Sequence, residues 1–194
     1  MKTYLFDIGN VLLSFDFTPA LNSLLGPNSK PNALLQIIDR KDEFESGQIE
    51  IDDFIKWASQ LLNFQGTDED FKHAWCHIFT PIQATWELVR KLKTDGHRLI
   101  LYSNTNAIHA PHCLETYPVF EHFDHAVFSH EIGAIKPHPE FFLCSFEKFN
   151  IDPALSYYID DLPANIEAGR SHGLNSHLYS ADRHQDLLDW VATH

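Results

Sequence analysis

Four short stretches place groups capable of chemistry directly after apolar runs or in a constrained loop. Tyr4-Leu5-Phe6 leads into Asp7-Ile8-Gly9-Asn10-Val11, and Leu99-Ile100-Leu101-Tyr102 leads into Ser103-Asn104-Thr105-Asn106. Tyr157-Tyr158-Ile159 leads into Asp160-Asp161-Leu162-Pro163-Ala164-Asn165, and Gly133-Ala134-Ile135-Lys136-Pro137 sets a lysine in a Pro-bounded loop. A carboxylate at the end of a buried strand is costly unless it is paired or used. Taken singly, Asp7 reads as a turn aspartate, Asp160-Asp161 as a cap and turn, and Lys136 as a solvated surface group. Taken together, three aspartates make a hard oxygen site of the kind Mg²⁺ prefers. Ser103 and the backbone amides after it can donate to phosphate oxygens, and Lys136 can neutralise phosphate charge.

These groups meet only if the apolar runs are parallel strands ending on one rim, where ligands of open α/β sheets bind. The chain supports that arrangement. After the first strand and the Leu12 to Phe17 stretch, residues 18 to about 83 show helical patterning and no convincing strand, with turns at Gly26-Pro27-Asn28, Ser46-Gly47 and Gly66-Thr67-Asp68. Ile51, Phe54, Ile55, Ala58, Leu61 and Leu62 recur at helical spacing, as do Phe71, Ala74, Trp75, Ile78 and Phe79. From residue 84 on, helices of about a dozen residues alternate with strands at 98–102, 125–128, 157–159 and 175–179. That alternation predicts an α/β fold, a parallel sheet with helices on both faces. The expected organisation is a core of residues 1–17 and 84–194, with an all-helical insertion at 18–83.

Composition narrows the partners. The chain has 194 residues, 44% of them apolar and 21% charged, enough for one ordinary folded domain with a modest insertion. Against 14 basic residues stand 27 acidic ones, a net charge of −13, and no basic run stands out. Such a surface repels nucleic acid and anionic membrane, so an anionic substrate must be drawn by a local feature. Cys76, Cys113 and Cys144 are far apart and odd in number, which fits reduced thiols and a cytoplasmic location rather than a disulfide framework. The apolar start is cut by Asp7 and reads as neither a signal peptide nor a membrane span. A monomer or a homodimer is expected.

The four motifs resemble those of the haloacid dehalogenase superfamily, and the helical insertion resembles that superfamily's small helical cap. The start Phe6-Asp7-x-Gly9-Asn10-Val11, the Ser103-Asn104-Thr105-Asn106 motif and the turn Phe44-Glu45-Ser46-Gly47-Gln48-Ile49 look most like bacterial sugar phosphatases acting on α-D-glucose 1-phosphate. The resemblance implies a Rossmann-like core and a Mg²⁺-dependent phosphatase of small phosphorylated metabolites. In that picture Asp7 is the nucleophile that forms an aspartyl-phosphate. Mg²⁺ is held by Asp7, the main-chain oxygen of Gly9 and Asp161, with Asp160 beside it. Ser103 and Asn104 bind the phosphoryl group, Lys136 holds phosphate and nucleophile, and Asn165 orients the metal surroundings.

One position departs from the resemblance. Most phosphatases of the superfamily carry a second aspartate two residues after the nucleophile, which protonates the leaving group; here that residue is Gly9. Metal binding through a carbonyl survives, and proton transfer is what comes into question. An anomeric leaving group, more acidic than a simple alcohol, would need less help, and Asp16 is a weak candidate substitute. Two other outcomes stay open: a metal-independent 2-haloacid dehalogenase, against which the Asp160-Asp161 pair argues, and a non-catalytic binding or regulatory protein. His73 and His77 stand at i and i+4 without the Glu of a metalloprotease motif, and are expected to bind no zinc. His109 and His112 are read as local structure. Trp57, Phe64, Phe71, Trp75 and Phe79 are read as packing of the insertion, with Phe44, Glu45 and Trp75 near enough to its turns to be considered for substrate contact.

Overall fold

The computed structural model describes residues 1–30 and 32–194. The chain starts with β1 (Thr3–Phe6) and β2 (Leu13–Phe15), then passes through α1 (Thr18–Leu24), α2 (Ala33–Asp39), α3 (Lys41–Glu45), α4 (Ile51–Leu62) and α5 (Asp68–Cys76). It returns by β3 (Phe79–Pro81) and continues as α6 (Gln83–Thr94), β4 (Arg98–Ser103), α7 (His109–Thr116), β5 (His125–Phe128), α8 (Ser129–Ile132) and α9 (Pro139–Phe149). β6 (Ser156–Asp160), α10 (Pro163–Ser171), β7 (Asn175–Leu178) and α11 (His184–Thr193) complete it.

Five strands form one all-parallel sheet in the order β5-β4-β1-β6-β7. This is the α/β arrangement the alternation predicts. β1 lies in the middle, so its exit and those of its neighbours β4 and β6 open on the same rim. The interior strands bury both faces and read as nearly continuous apolar runs. On one face, Tyr4, Phe6, Leu99, Leu101 and Ile159 pack against Trp86, Val89 and Leu92 of α6, Cys113 of α7 and Leu187 of α11. On the other, Leu5, Ile100, Tyr102 and Tyr158 pack against Phe141 and Phe142 of α9 and Ile166 of α10.

Helices α1 to α5 carry a hydrophobic core of their own, built from Leu24, Ile37, Phe44, Phe54, Leu61, Phe71 and Trp75, and joined by Ile108 from the loop after β4. The spacing of Phe54, Ile55, Ala58, Leu61 and Leu62 puts these side chains on the buried face of α4. α5 starts with a capping box, in which the Thr67 side chain accepts from the Asp70 N–H and Asp70 accepts from the Thr67 N–H.

The expectation that residues 18 to 83 hold no strand needs correction. β3 pairs antiparallel with β2, with Phe15 opposite Phe79 and Leu13 opposite Pro81. Each strand has three residues, too few for an alternation to register, and Pro81 masks the second as a breaker. The two-stranded ribbon carries the chain out to the helices and back. Among the described residues, no helix is long and apolar enough to cross a membrane.

Candidate active site

Asp7 leaves the end of β1 at the middle of the rim, its main-chain N–H donating to the Ile159 carbonyl of β6 at 3.0 Å. The turn that follows puts Asn10 in the left-handed region at φ 51°, a conformation Asn tolerates better than most residues. From there Asn10 Nδ2 donates to Asp161 Oδ2 at 3.0 Å, linking the first motif to the fourth. A side chain at Gly9 would bring its Cβ to 3.1 Å from Phe15 Cε1 and 3.8 Å from Asp7 Oδ2, so the Phe15 ring stands in the space beside the carboxylate.

Lys136 reaches the same point from the loop after α8. Its Nζ lies 3.1 Å from Asp7 Oδ1 and 2.6 Å from Asp160 Oδ2, and donates to the Tyr102 carbonyl at 2.7 Å. Asn104 fixes that loop: its Nδ2 donates to the Lys136 carbonyl at 2.9 Å, and its Oδ1 accepts from the Lys136 N–H at 2.8 Å. The Asn104 side chain, expected to bind phosphate, is therefore directed at the Lys136 main chain. Ser103 is buried at the end of β4, where its hydroxyl stabilises the Asp7 carboxylate.

The two adjacent aspartates of the fourth motif have different surroundings. Asp160 is fully buried and accepts from Lys136 Nζ, the Tyr158 hydroxyl, the Leu162 N–H at 2.9 Å and Asn165 Nδ2 at 3.0 Å. Asn165 thus acts on Asp160. Asp161 is only partly buried and accepts from Asn10. Asp7, Asp160 and Asp161 each present a carboxylate oxygen within 4.8 Å of the others, the one group of metal-ligating side chains that comes together among the described residues. Asp7 Oδ1 is buried, and its near neighbour is the Lys136 ammonium at 3.1 Å. An all-oxygen donor set of this kind fits a hard divalent cation such as Mg²⁺.

The charges are strongly coupled. Burial pushes the Asp7 carboxyl up to about 7; Lys136 and the Ser103 hydroxyl pull it down, while Asp160 and Asp161 push it further up. Burial also raises Asp161, against the hydrogen bond from Asn10. Burial works against the Lys136 ammonium, but Asp160 and Asp7 outweigh it and hold its pKa above the ordinary value. A cation between Asp7 and Asp161 would favour their charged forms and relieve their mutual repulsion.

Other candidate residues fall outside this centre. Asp16 is exposed and accepts from the Thr18 N–H at 2.8 Å, at the start of α1. His109 is buried, with Nδ1 3.1 Å from Asn106 Nδ2 and Nε2 3.1 Å from the Trp75 carbonyl, so it ties α7 to α5. Burial brings its pKa down to about 4, which keeps the ring neutral. His73 and His77 lie ring to ring at 6.2 Å and line a groove together with His112.

Glu45, considered for substrate contact from its place beside a turn of the insertion, ends α3. It is 8% exposed, and Lys41 Nζ lies 3.4 Å from its Oε2. Burial raises its carboxyl, with Lys41 opposing. The following turn fits closely against the sheet side: at Gly47, with φ 73°, a Cβ would sit 2.4 Å from the His130 carbonyl oxygen. Neither the positive φ nor the close approach admits a larger residue.

The comparisons with known proteins agree with this geometry. A D-ribitol-5-phosphate phosphatase of Bacteroides thetaiotaomicron is 26% identical over 187 residues, covering 91% of this chain and 90% of that protein. A haloacid dehalogenase-family enzyme from the same organism, solved with magnesium and inorganic phosphate, superposes with a TM-score of 0.77 at 24% identity, covering 93% of this chain and 95% of that one. A predicted family hydrolase from Porphyromonas gingivalis superposes at 0.82 and 20% identity over 100% of this chain and 98% of that one. The model of the haloacid dehalogenase-like hydrolases matches residues 1–173, a span that contains all four motifs and every residue of the rim. The chain belongs to the haloacid dehalogenase-like hydrolase family.

Proposed function

We propose that this protein is a Mg²⁺-dependent phosphatase of small phosphorylated metabolites, sugar or polyol phosphates among them, working through an aspartyl-phosphate on Asp7. The observation that carries this reading is the convergence of Asp7, Lys136, Ser103 and Asp161 at one rim, with Lys136 held on Asp7 by a fully buried Asp160. The B. thetaiotaomicron relative named for D-ribitol 5-phosphate supports a phosphomonoester substrate. α-D-Glucose 1-phosphate remains a named candidate, because its anomeric leaving group suits a site with glycine at position 9.

Asp7, the Gly9 carbonyl and Asp161 would hold the cation, which supplies positive charge to the phosphoryl oxygens and to the attacking carboxylate. Lys136 neutralises phosphate charge from the other side, and Ser103 with the Asn104 main chain binds the remaining phosphoryl oxygens. An Asp7 carboxylate oxygen attacks phosphorus as the bond to the leaving oxygen breaks, and water then cleaves the acyl phosphate to release inorganic phosphate and restore Asp7. The Phe15 ring, not an acid, stands beside Asp7 at the Gly9 position. Leaving groups that tolerate weak proton donation are therefore favoured. Residues 18–83 serve as a cap over this rim, and closure excludes water from the phosphoryl group.

The test is a phosphate-release screen over sugar, polyol and nucleotide phosphates with Mg²⁺, using Asp7→Asn as control. Release that survives in Asp7→Asn, or that EDTA does not abolish, would overturn the mechanism. A faster rate on sugar 6-phosphates than on sugar 1-phosphates would remove the anomeric preference.

A further inference from the structure

Two helices of the insertion end against the core, and in both cases a core side chain supplies a donor to a main-chain carbonyl. The last carbonyls of a helix have no partner within it. At the end of α3 the Glu45 carbonyl accepts from the Ser129 hydroxyl at 2.5 Å, and that hydroxyl accepts from the Thr105 N–H at 2.9 Å. Near the end of α5 the Trp75 carbonyl lies 3.1 Å from Nε2 of His109, whose Nδ1 lies 3.1 Å from Asn106 Nδ2. Thr105 and Asn106 stand two and three residues past Ser103, in the motif expected to bind phosphate. We propose that His109 is a positioning residue for phosphoryl transfer: held by Asn106, it locks α5 onto the phosphate-binding loop as a neutral ring and releases it on taking up a second proton. The lock itself stands on these hydrogen bonds; what it serves rests on the phosphatase reading.

The neighbours decide which nitrogen carries the hydrogen. Asn106 Oδ1 accepts from the main-chain N–H of Ile108 at 3.1 Å and of His109 at 2.9 Å, which turns the amide nitrogen toward the ring. An amide nitrogen only donates, so Nδ1 is the acceptor and Nε2 carries the hydrogen that goes to Trp75. A proton on Nδ1 would set donor against donor. Asn106 cannot turn to accept it without giving up both main-chain contacts.

The surroundings oppose that proton. The ring stacks on Trp75 with centroids 5.8 Å apart, meets Phe79 edge-on at 5.0 Å and lies 6.1 Å from Phe17. Burial is the main cause that holds its pKa at about 4, and the charges that act on it, His112 of α7 and Lys41 of α3, add to the effect. Cys76 of α5 donates to the Ile108 carbonyl at 3.8 Å, and burial pushes its thiol up to about 11, so it stays neutral. A ring freed to solvent returns to about 6.5. Linkage then raises the ratio of released to seated α5 by up to about tenfold per pH unit below 6.5, roughly thirtyfold by pH 5. His73 and His77 of α5 face His112 across the neighbouring groove, with Glu69, Lys72 and Glu115, and titrate independently of this ring.

The experiment compares the full chain with His109→Gln, whose amide can donate to Trp75 and takes no proton, and with His109→Phe, which cannot donate. Every other seam histidine is kept, so differences between the proteins isolate the ring. Hydrogen exchange is read at α5, β1 and β4 from pH 7.5 to 5. In the unaltered protein, protection of α5 is expected to fall at least tenfold more than that of the two strands, and in His109→Gln less than threefold more. A fall shared equally by α5 and the strands, or repeated in His109→Gln, would overturn the lock. With Mg²⁺ and p-nitrophenyl phosphate at pH 7.5, kcat is expected to fall at least tenfold in His109→Phe and to stay within threefold in His109→Gln. Loss in both variants alike, or in neither, would overturn the positioning role. If His109→Phe does not fold, the exchange comparison of the other two proteins decides. Release of phosphate from no phosphomonoester by the unaltered chain would overturn the phosphatase reading, and exchange would still judge the lock.

Discussion

Lys136 Nζ lies closer to Asp160 than to the candidate nucleophile, 2.6 Å against 3.1 Å, and Asp160 has no exposure to solvent. Asp160 is thus the fixed counter-charge of the lysine. Asp160→Asn leaves a buried ammonium half compensated and is expected to cost about 3 kcal/mol or more of folding stability. Phosphatase activity falls with it as Lys136 loses its position. Chemical denaturation alongside steady-state rates checks this.

Asp161, one residue on, is expected to behave in the opposite way. It is partly buried and shares only an Asn10 contact in the fold. Asp161→Asn should leave the melting temperature nearly unchanged. Its apparent Mg²⁺ affinity should drop by more than the roughly 10- to 100-fold typical of outer-sphere partners. Activity measured against Mg²⁺ concentration separates the two aspartates, and EDTA should abolish the activity of the unaltered protein until Mg²⁺ is returned.

A Cβ at position 9 would lie 3.1 Å from the Phe15 ring, which must shift by a few tenths of an ångström to admit a side chain there. Gly9→Asp combined with Phe15→Ala should therefore add a proton donor where neither change alone does. The expected sign is a rise of about tenfold or more in the rate on alkyl phosphates relative to p-nitrophenyl phosphate, within the range of general acid catalysis. An unchanged ratio would mean that position 9 cannot reach the leaving oxygen.

His109 provides a pH prediction. Burial holds its pKa at about 4, below the roughly 6.5 of an unfolded histidine, so the unfolded chain binds the proton more readily. Its contribution is fully present above about pH 6.5 and declines by about 1.4 kcal/mol per unit as pH falls toward 4, about 3 kcal/mol in all. Stability measured between pH 4 and 7 should show this slope, and His109→Gln should flatten it.

Much of the sheet was legible because buried parallel strands write themselves as apolar runs, and the residues ending β1, β4 and β6 could be placed on one rim from strand direction alone. The division of labour between Asp160 and Asp161 was not legible. Adjacent residues at a strand end point to different sides, and only Tyr158, Lys136 and Asn165 reveal which one is inward. Nor was the use of the Asn104 side chain, since its partner is 32 residues away. Glu45 and Trp75 lie on separate helices, α3 and α5, and no local pattern states that the two residues line one cavity. The β2–β3 ribbon escaped because three-residue strands carry too little alternation to be seen.

That ribbon sets what can be done with the chain. Phe15 and Phe79 are register partners, so the points where the backbone departs for the helices and where it comes back are side by side. The five-stranded sheet takes no strand from what is strung between them, so the intervening stretch can be exchanged for another without re-threading a strand. Grafting helices from a relative between these two phenylalanines is thus a direct route to altered substrate choice on an unaltered catalytic rim.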